Sequence, residues 1–410
     1  MTAVRVVHLI TGLTLGGAER HVESLLLHSR HDSQVLALYR DGPVGGQLRE
    51  RGCRARSLGL DGAPKPRAVL AVARELRRLR PDVVHVHLLS GQGVGIPAAR
   101  LARVPVVVST EHSVMDDEVE GRPITRRLRL QYRAWERLAT HTVAVSPTTA
   151  HRLGRQWGVA PCRMSVIPLG IDLAPLAFDP AARAALRAEL SLAPTAQVVG
   201  AVGRLDPVKR FPVLLRALLP WLAGDDRYLV VVGDGPGRAD LERLARDGGV
   251  ADRVRLLGPR TDLARLLSAF DVLASPSRDE TYGIAVVEAV ANGLPVVYAQ
   301  CPALDDVGLV APSLVRLPER PAPGTAPGPG PATTTDAADE VDLREAVQAL
   351  LTATWTPDPA AARRERVPSA LTDRYDVGRR TADVDDLYVR FLGGRRAGGR
   401  DDEEAGCRHL

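Results

Sequence analysis

Among 54 basic residues only Lys65 and Lys209 are lysines, and Lys209 shares a short loop with Arg204 in "AVGRLDPVKRF". A chain that has otherwise drifted to arginine and keeps lysine there has a use for a compact point charge beside a planar guanidinium. Two such cations suit the oxygens of a diphosphate; the plain alternative is a pair of solvated surface charges. A second pair is acidic. Glu280 and Glu288 lie in "SPSRDETYGIAVVEAVANGLPVV". Glu280 sits among turn-forming residues. Glu288 sits in a run that, as a helix, is apolar on every face and therefore buried. A buried carboxylate needs partners. One of these acids can accept both hydroxyls of a ribose, and the other can reach a second sugar. Taken singly, each has a serious rival reading: an exposed turn for Glu280, an arginine partner for Glu288. Gly283, just before the run, opens a helix N-terminus able to receive a phosphate.

Two further junctions pair glycine with a helix start. In "LITGLTLGGAERHVESLLL" a strand runs into Gly16 and Gly17, and a helix follows at Ala18. In "VVVGDGPGRADLERL" Gly233, Asp234 and Gly235 precede another helix. Such loops let a ligand approach the backbone closely, and they serve as ordinary strand–helix turns just as often. Neither matches the GxGxxG dinucleotide fingerprint.

These residues need elements to hold them. Apolar strand-like runs at 4–10, 34–38, 82–87, 104–109 and 142–145 alternate with helical patterns such as 19–28, 45–51 and 68–80. A second series has strand-like runs at 197–202, 228–232, 254–257, 271–274 and 295–298. Continuous apolar strands alternating with helices predict parallel sheets covered on both faces, here twice, with a break near 168–180. The candidate loops follow strands of the second series, and ligands of open parallel sheets bind beyond the carboxyl ends of the strands. Residues 318–340 are rich in Pro, Gly and Thr and read as a linker. Helical patterns resume at 341–355 and 382–392, and the charged, Gly-rich end from 393 reads as disordered.

Composition narrows the function classes. No run approaches the ~18 apolar residues of a membrane span. No export signal is apparent, which places the expected location in the cytoplasm. Four scattered cysteines show no metal spacing and are expected to be reduced thiols. Residues 1–170 carry 25 basic against 14 acidic side chains, and this basic half points to an anionic partner. The arginines lack interleaved aromatics, so nucleic acid is not expected. Residues 122–137, "RPITRRLRLQYRAWER", make a basic amphipathic helix. It reads as a core-packed helix with a polar outer face, or as a contact with the inner face of an anionic membrane.

In this order the segments resemble the retaining GT-B glycosyltransferases of family 4 (glycosyl transferases group 1) over about residues 4–300. "VSPTTAHRL" and "VIPLGIDL" resemble that family's domain-boundary segments. The resemblance implies an α/β GT-B fold, two Rossmann-like doubly wound domains facing a cleft. The implied division is 1–172 for the acceptor, 173–372 for the nucleotide sugar with the linker 318–340 inside it, a helix at 373–392 returning to the first domain, and a tail at 393–410. Implied donor-binding residues are Gly17, Gly203, Arg204, Lys209, Gly233, Asp234, Gly235, Arg260, Glu280, Tyr282, Gly283, Ile284 and Glu288. Arg204 and Lys209 clamp the diphosphate, the backbone at 282–284 adds N–H donors, Glu288 binds ribose, and Glu280 meets the donor sugar. His112, in "STEHS", matches a histidine that family members place near the transferred sugar; a satisfied loop histidine is its other reading. His85 and His87 read as structural. The implied chemistry is transfer with retention from a nucleotide-diphosphate sugar to a glycan, glycolipid or lipid-linked acceptor, in cell-surface polysaccharide or glycoconjugate synthesis. His112, Glu280, Arg204 and Lys209 are the catalytic candidates. No metal and no cofactor is expected, because no DxD-like motif is apparent in a suitable loop. Three departures stand out. "ETYG" replaces the usual Glu-Gly-Phe-Gly, Leu169 in "IPLGID" stands where Asn is usual, and "YAQCPALDDVG" stands where a Gly-Gly-x-Pro-Glu segment is usual, which puts in doubt the helix packing and part of the back wall of the nucleotide pocket. The rival functions are a sugar-nucleotide epimerase or hydrolase on the same fold, and a catalytically silent nucleotide-sugar-binding partner protein.

Overall fold

A computed structural model describes residues 3–112, 114, 118–119, 122–319, 334–356 and 359–396. They fold as two compact units, one of residues up to 172 together with those from 374 onward, the other of residues 173–373.

The first unit holds strands β1 (Arg5–Ile10), β2 (Asp32–Ala37), β3 (Arg54–Ser57), β4 (Val83–His87), β5 (Val106–Glu111), β6 (Glu118–Val119), β7 (Arg122–Pro123), β8 (His141–Ala144) and β9 (Met164–Val166). Seven of them form a parallel sheet in the order β3-β2-β1-β4-β5-β8-β9, and β6 and β7 make a small antiparallel ribbon. Strands β4 and β5 are Val-rich and buried throughout, as befits a sheet covered on both faces. The helix Val377–Arg396 covers one face: Val384, Leu387, Tyr388 and Phe391 pack with Val6, Val83, Val106 and Val108. Its Asp385 accepts hydrogen bonds from Ser29 Oγ at 2.8 Å and Arg30 N at 3.0 Å, tying it to the end of the helix Gly17–His28.

The second unit holds β10 (Gln197–Val202), β11 (Arg227–Val232), β12 (Val254–Leu256), β13 (Val272–Ser275), β14 (Val296–Tyr298) and β15 (Leu314–Arg316), in the order β12-β11-β10-β13-β14-β15. All neighbours are parallel. Its core joins Val199, Leu214, Leu218, Val231, Val272 and Val297 to Leu343, Val347 and Leu350 of the helix Thr334–Thr354. The chain order reverses between β1 and β4 in one sheet and between β10 and β13 in the other. At such switch points the loops on either side diverge and leave a crevice.

Three sequence expectations change. The 318–340 linker does not run its full length, because the helix Thr334–Thr354 already includes 334–340; residues 320–333 lie outside the described residues. The Ala, Asp and Glu content of 336–340 satisfies helix geometry without a sequence-visible apolar face. The supposed disordered end likewise begins as helix, since Val377–Arg396 includes 393–396, while 397–410 lie outside the described residues. Cys53 and Cys301 are free thiols, but Cys162 is in a disulfide, against the expectation of reduced cysteines.

Candidate donor site and histidine cluster

In the second unit the glycine loops after β10 and β11 stack on each other. A Cβ on Gly233, whose φ is +133°, would fall 2.0 Å from the carbonyl oxygen of Gly203. Leu205 N donates to Asp234 O at 2.9 Å, and Gly237 N donates to Leu205 O at 2.8 Å. Gly233 N donates in turn to Gly258 O at 2.9 Å, which draws in the loop after β12. The close approach of backbone to backbone is thus one reason for glycine here.

The loop after β10 ends in a short turn, Pro207–Lys209. Lys209 Nζ lies 2.5 Å from Glu280 Oε1, and both side chains are largely buried. Glu280 N donates to Gln300 Oε1 at 3.0 Å. Lys209 follows β10 and Glu280 follows β13, so this ion pair joins the two loops on either side of the switch point. Arg204 lies in the same loop as Lys209, is largely exposed, and pairs with Asp206 at 2.5 Å.

Both loops are braced from behind by residues the sequence reading did not single out. Arg210 Nη2 meets Asp336 Oδ1 at 2.5 Å and Arg210 Nη1 meets Asp339 Oδ2 at 2.6 Å, while Arg278 Nε donates to Asp339 Oδ2 at 2.8 Å. Burial works to raise the Asp339 carboxyl, yet the bonds from Arg278 and Arg210 hold it below the usual carboxylate range. Asp336 and Asp339 fall in the stretch read as linker, so no signal in the sequence pointed to them. Arg210 sat beside Lys209 and offered only its charge as a signal.

Gly283 begins the third part. Its φ is +85°, and a Cβ there would meet Cys301 Sγ at 2.6 Å. The helix Ile284–Ala291 starts directly after it without a side-chain cap, and the first N–H groups of a helix have no partner within it. Tyr282 is buried, and its carbonyl accepts from Ala303 N at 3.0 Å. Glu288, the fifth residue of the helix, is 6 % exposed. The departing segment after β14 is what packs here: Gln300, Cys301 and Ala303 all bond the 280–283 turn or its flank. Burial pushes the Cys301 thiol far up, so it is a neutral packing group. Arg260 stands apart. It follows Gly258, but its guanidinium is tied to Asp262 at 2.7 Å and Glu189 at 3.0 Å, and those bonds raise its already high pKa.

In the first unit Gly17 opens the helix Gly17–His28, with Gly16 extended before it. Thr14 Oγ1 donates to Glu19 Oε1 at 3.1 Å, closing the loop over the helix start. His112 is buried at the end of β5, within a group with His8, His21, His85 and His87. Burial, reinforced by His21, keeps His112 well below the ordinary histidine pKa, so it is neutral at pH 7. His85 is fastened by Tyr388 OH and Thr110 Oγ1, each at 2.6 Å. The basic helix is Arg126–Leu138. Tyr132 and Glu136 are buried, Tyr132 against Trp157 with ring centroids 4.6 Å apart, while Arg126, Arg127 and Arg129 are exposed. It is a core-packed helix with a charged outer face. No helix among the described residues is long and apolar enough to cross a membrane.

Two parallel, Rossmann-like sheets with glycine loops at their strand ends define the GT-B class of protein. The Glycosyltransferase Family 4 model matches residues 15–175, and the Glycosyl transferases group 1 model matches residues 196–316. The chain belongs to this family of GT-B glycosyltransferases. It is 37 % identical over 234 residues to a D-inositol 3-phosphate glycosyltransferase of Mycolicibacterium gilvum, covering 53 % of this chain and 51 % of that protein. It is 36 % identical over 238 residues to a namesake from Actinosynnema mirum, covering 53 % and 56 %. The chain thus spans about half the length of the curated relatives it matches. Among solved structures, it resembles Anabaena Alr3699/HepE in complex with UDP and glucose (TM-score 0.75, 21 % identity, 94 % of this chain and 99 % of that one). It also resembles a sucrose-phosphate synthase of Thermosynechococcus elongatus (TM-score 0.69, 19 % identity, 95 % and 100 %). At these identities the likeness shows the fold.

Proposed function

We propose that this protein is a retaining glycosyltransferase that moves a hexose from a nucleotide-diphosphate donor to a hydroxyl of a glycan, glycolipid or lipid-linked acceptor. The observation that carries the reading is the Lys209–Glu280 pair, which joins the loops on either side of the β10/β13 switch point, next to the stacked glycine loops and the uncapped helix at Gly283. A lysine ammonium has three donors. One holds Glu280, and the others serve phosphate oxygens, with Arg204 in the same loop adding a planar fork. The N–H groups at 282–284 take a further oxygen. Positive groups fixed in place before the reaction stabilise the diphosphate as it leaves, without reorganisation at the moment of bond breaking. Glu288 holds the ribose and Glu280 the donor sugar. Gly17 and His112 serve from the first unit, to which the reading assigns the acceptor. With two cations on the diphosphate, the reading needs no divalent metal.

Support for the substrate class comes from the relatives. The neighbour from Anabaena is described with UDP, glucose and UDP-glucose, and the curated relatives are named D-inositol 3-phosphate glycosyltransferases. UDP-hexoses are therefore the first donors to offer. The test is product analysis with a sugar-labelled UDP-hexose, then its GDP, ADP and CDP counterparts, against polar and lipid-linked acceptors. Label joined to acceptor through an anomeric bond of unchanged configuration supports the reading. Label released only as free sugar, or recovered as an epimerised nucleotide sugar, contradicts it.

A further inference from the structure

Three of the buried histidines form a line. His8 lies on β1 in register with His85 of β4, and His87 lies two residues further along the same face. His8 Nδ1 is 3.2 Å from His87 Nε2, and His87 Nδ1 is 3.2 Å from His112 Nε2. Both ring nitrogens of His87 are thus engaged, one with each neighbour. All three side chains are buried, and burial holds their pKa values down, that of His8 to about 3 with help from the nearby His21.

A neutral imidazole carries one N–H and one lone pair. If His87 holds its proton on Nδ1, it donates to His112 and accepts from His8. If the proton is on Nε2, it donates to His8 and accepts from His112. No arrangement of neutral rings makes both bonds except these two, and in each all three rings carry the proton on the same type of nitrogen. We propose that His8, His87 and His112 are one tautomerically coupled chain, in which His87 and His8 fix which nitrogen of His112 carries its proton. His87 and His8 are positioning residues, whereas His112 is the member assigned to the transfer site. Its Nδ1 carries the proton in one state of the chain and the lone pair in the other, so His8 and His87 set the hydrogen-bonding character of His112.

A metal centre is the competing use of the cluster, since ligating atoms of His8, His85 and His87 all lie within 4.8 Å of one another. His85 argues against it. Both of its nitrogens are already bonded at 2.6 Å, to Tyr388 OH and Thr110 Oγ1, and a metal would have to break one of those bonds.

The catalytic consequence rests on the glycosyltransferase reading, but the test of the coupling does not. The full-length chain is labelled with 15N-histidine, and long-range 1H–15N correlation at pH 7 reports the tautomer of each ring, assigned through single His→Gln variants. The expected result is three neutral rings with one common tautomer. In His8→Phe the His112 signals shift toward a mixture, relayed through His87. His87→Phe should lower the kcat of sugar transfer about tenfold or more with the donor KM within about twofold, and His87→Gln, whose amide both donates and accepts, should recover part of it. Differing tautomers among the three wild-type rings, a charged ring at pH 7, or uptake of one equivalent of Zn2+ that His85→Phe abolishes would overturn the proposal. The wild-type spectrum decides the point even if a variant fails to fold. Coupled tautomers in a chain without transferase activity would leave the coupling standing and remove the functional reading alone.

Discussion

Lys209 and Glu280, 71 positions apart in sequence, meet as a largely buried ion pair 2.5 Å across, one following β10 and the other following β13. The pair holds the lysine in place before any donor arrives. Breaking a buried pair from one side leaves an uncompensated charge and costs ~3–5 kcal/mol. Lys209→Met is expected to lower kcat/KM for transfer about 10²-fold or more, in line with removal of one preorganised charge-stabilising donor. Glu280→Gln should reduce kcat by a similar factor while donor binding falls less, because the lysine stays available to phosphate. Steady-state kinetics with a labelled donor checks both, and unchanged kcat/KM in Lys209→Met contradicts the assignment.

Gly283 is fixed by its backbone and by its neighbour. At φ +85° with Cys301 Sγ 2.6 Å from any Cβ, Gly283→Ala is expected to cost about 1–3 kcal/mol of stability in the second unit. It should also push the 300–303 segment away from the turn that carries Glu280. The control is Gly283→Ala with Cys301→Ala, which removes the clash but not the strain, and should restore part of the thermal midpoint. Equal midpoints for wild type and Gly283→Ala would show that the turn is not held as described.

The histidine cluster makes stability depend on pH. The folded pKa values are depressed by burial, to about 3 for His8 and about 4 for His21, with His85, His87 and His112 also well below 6.5. Below pH 6.5 the unfolded chain binds protons that the folded chain refuses. This contribution is therefore complete above about pH 6.5 and lost as pH falls toward 4, at up to about 1.4 kcal/mol per pH unit for each such histidine. Thermal unfolding of the first unit from pH 7.5 to 5 should show a falling midpoint, with a shallower fall in His21→Phe. A midpoint flat over that range contradicts neutral burial of the cluster.

The exposed arginines 126, 127 and 129 give a membrane prediction. If they draw the protein to an anionic surface, the wild type should partition to anionic vesicles more than a variant with all three changed to Glu, and salt should erase the difference. Equal partition leaves the helix with its packing role alone.

Much of the fold was legible because both sheets are parallel and covered. Runs such as "VVHVH" and "VVGAV" are rich in Val, and that signal survives without an alignment. The edge strands of the first sheet were not legible: β3 reads "RARS" and β9 reads "MSV", too short and too polar to stand out. In the site, the charged residues in the loops were visible as types and spacings. Their bracing was not, because Arg210, Arg278, Asp336 and Asp339 come together only through the helix Thr334–Thr354, whose first turns follow a Pro- and Gly-rich stretch. Gln300 and Cys301 were hidden for a related reason. They occupy the position of a familiar segment without sharing its residues, and only their contacts with the 280–283 turn show what they do.

The most direct test of the central claim is calorimetric titration of the full-length protein with UDP-, GDP-, ADP- and CDP-hexoses in EDTA-containing buffer. The account predicts saturable binding of one donor and its nucleoside diphosphate without metal. Affinity should fall at least about tenfold in both Lys209→Met and Glu288→Gln, each loss corresponding to about 1.4 kcal/mol or more. Absence of binding by all four donors, or binding that neither substitution weakens, would contradict it.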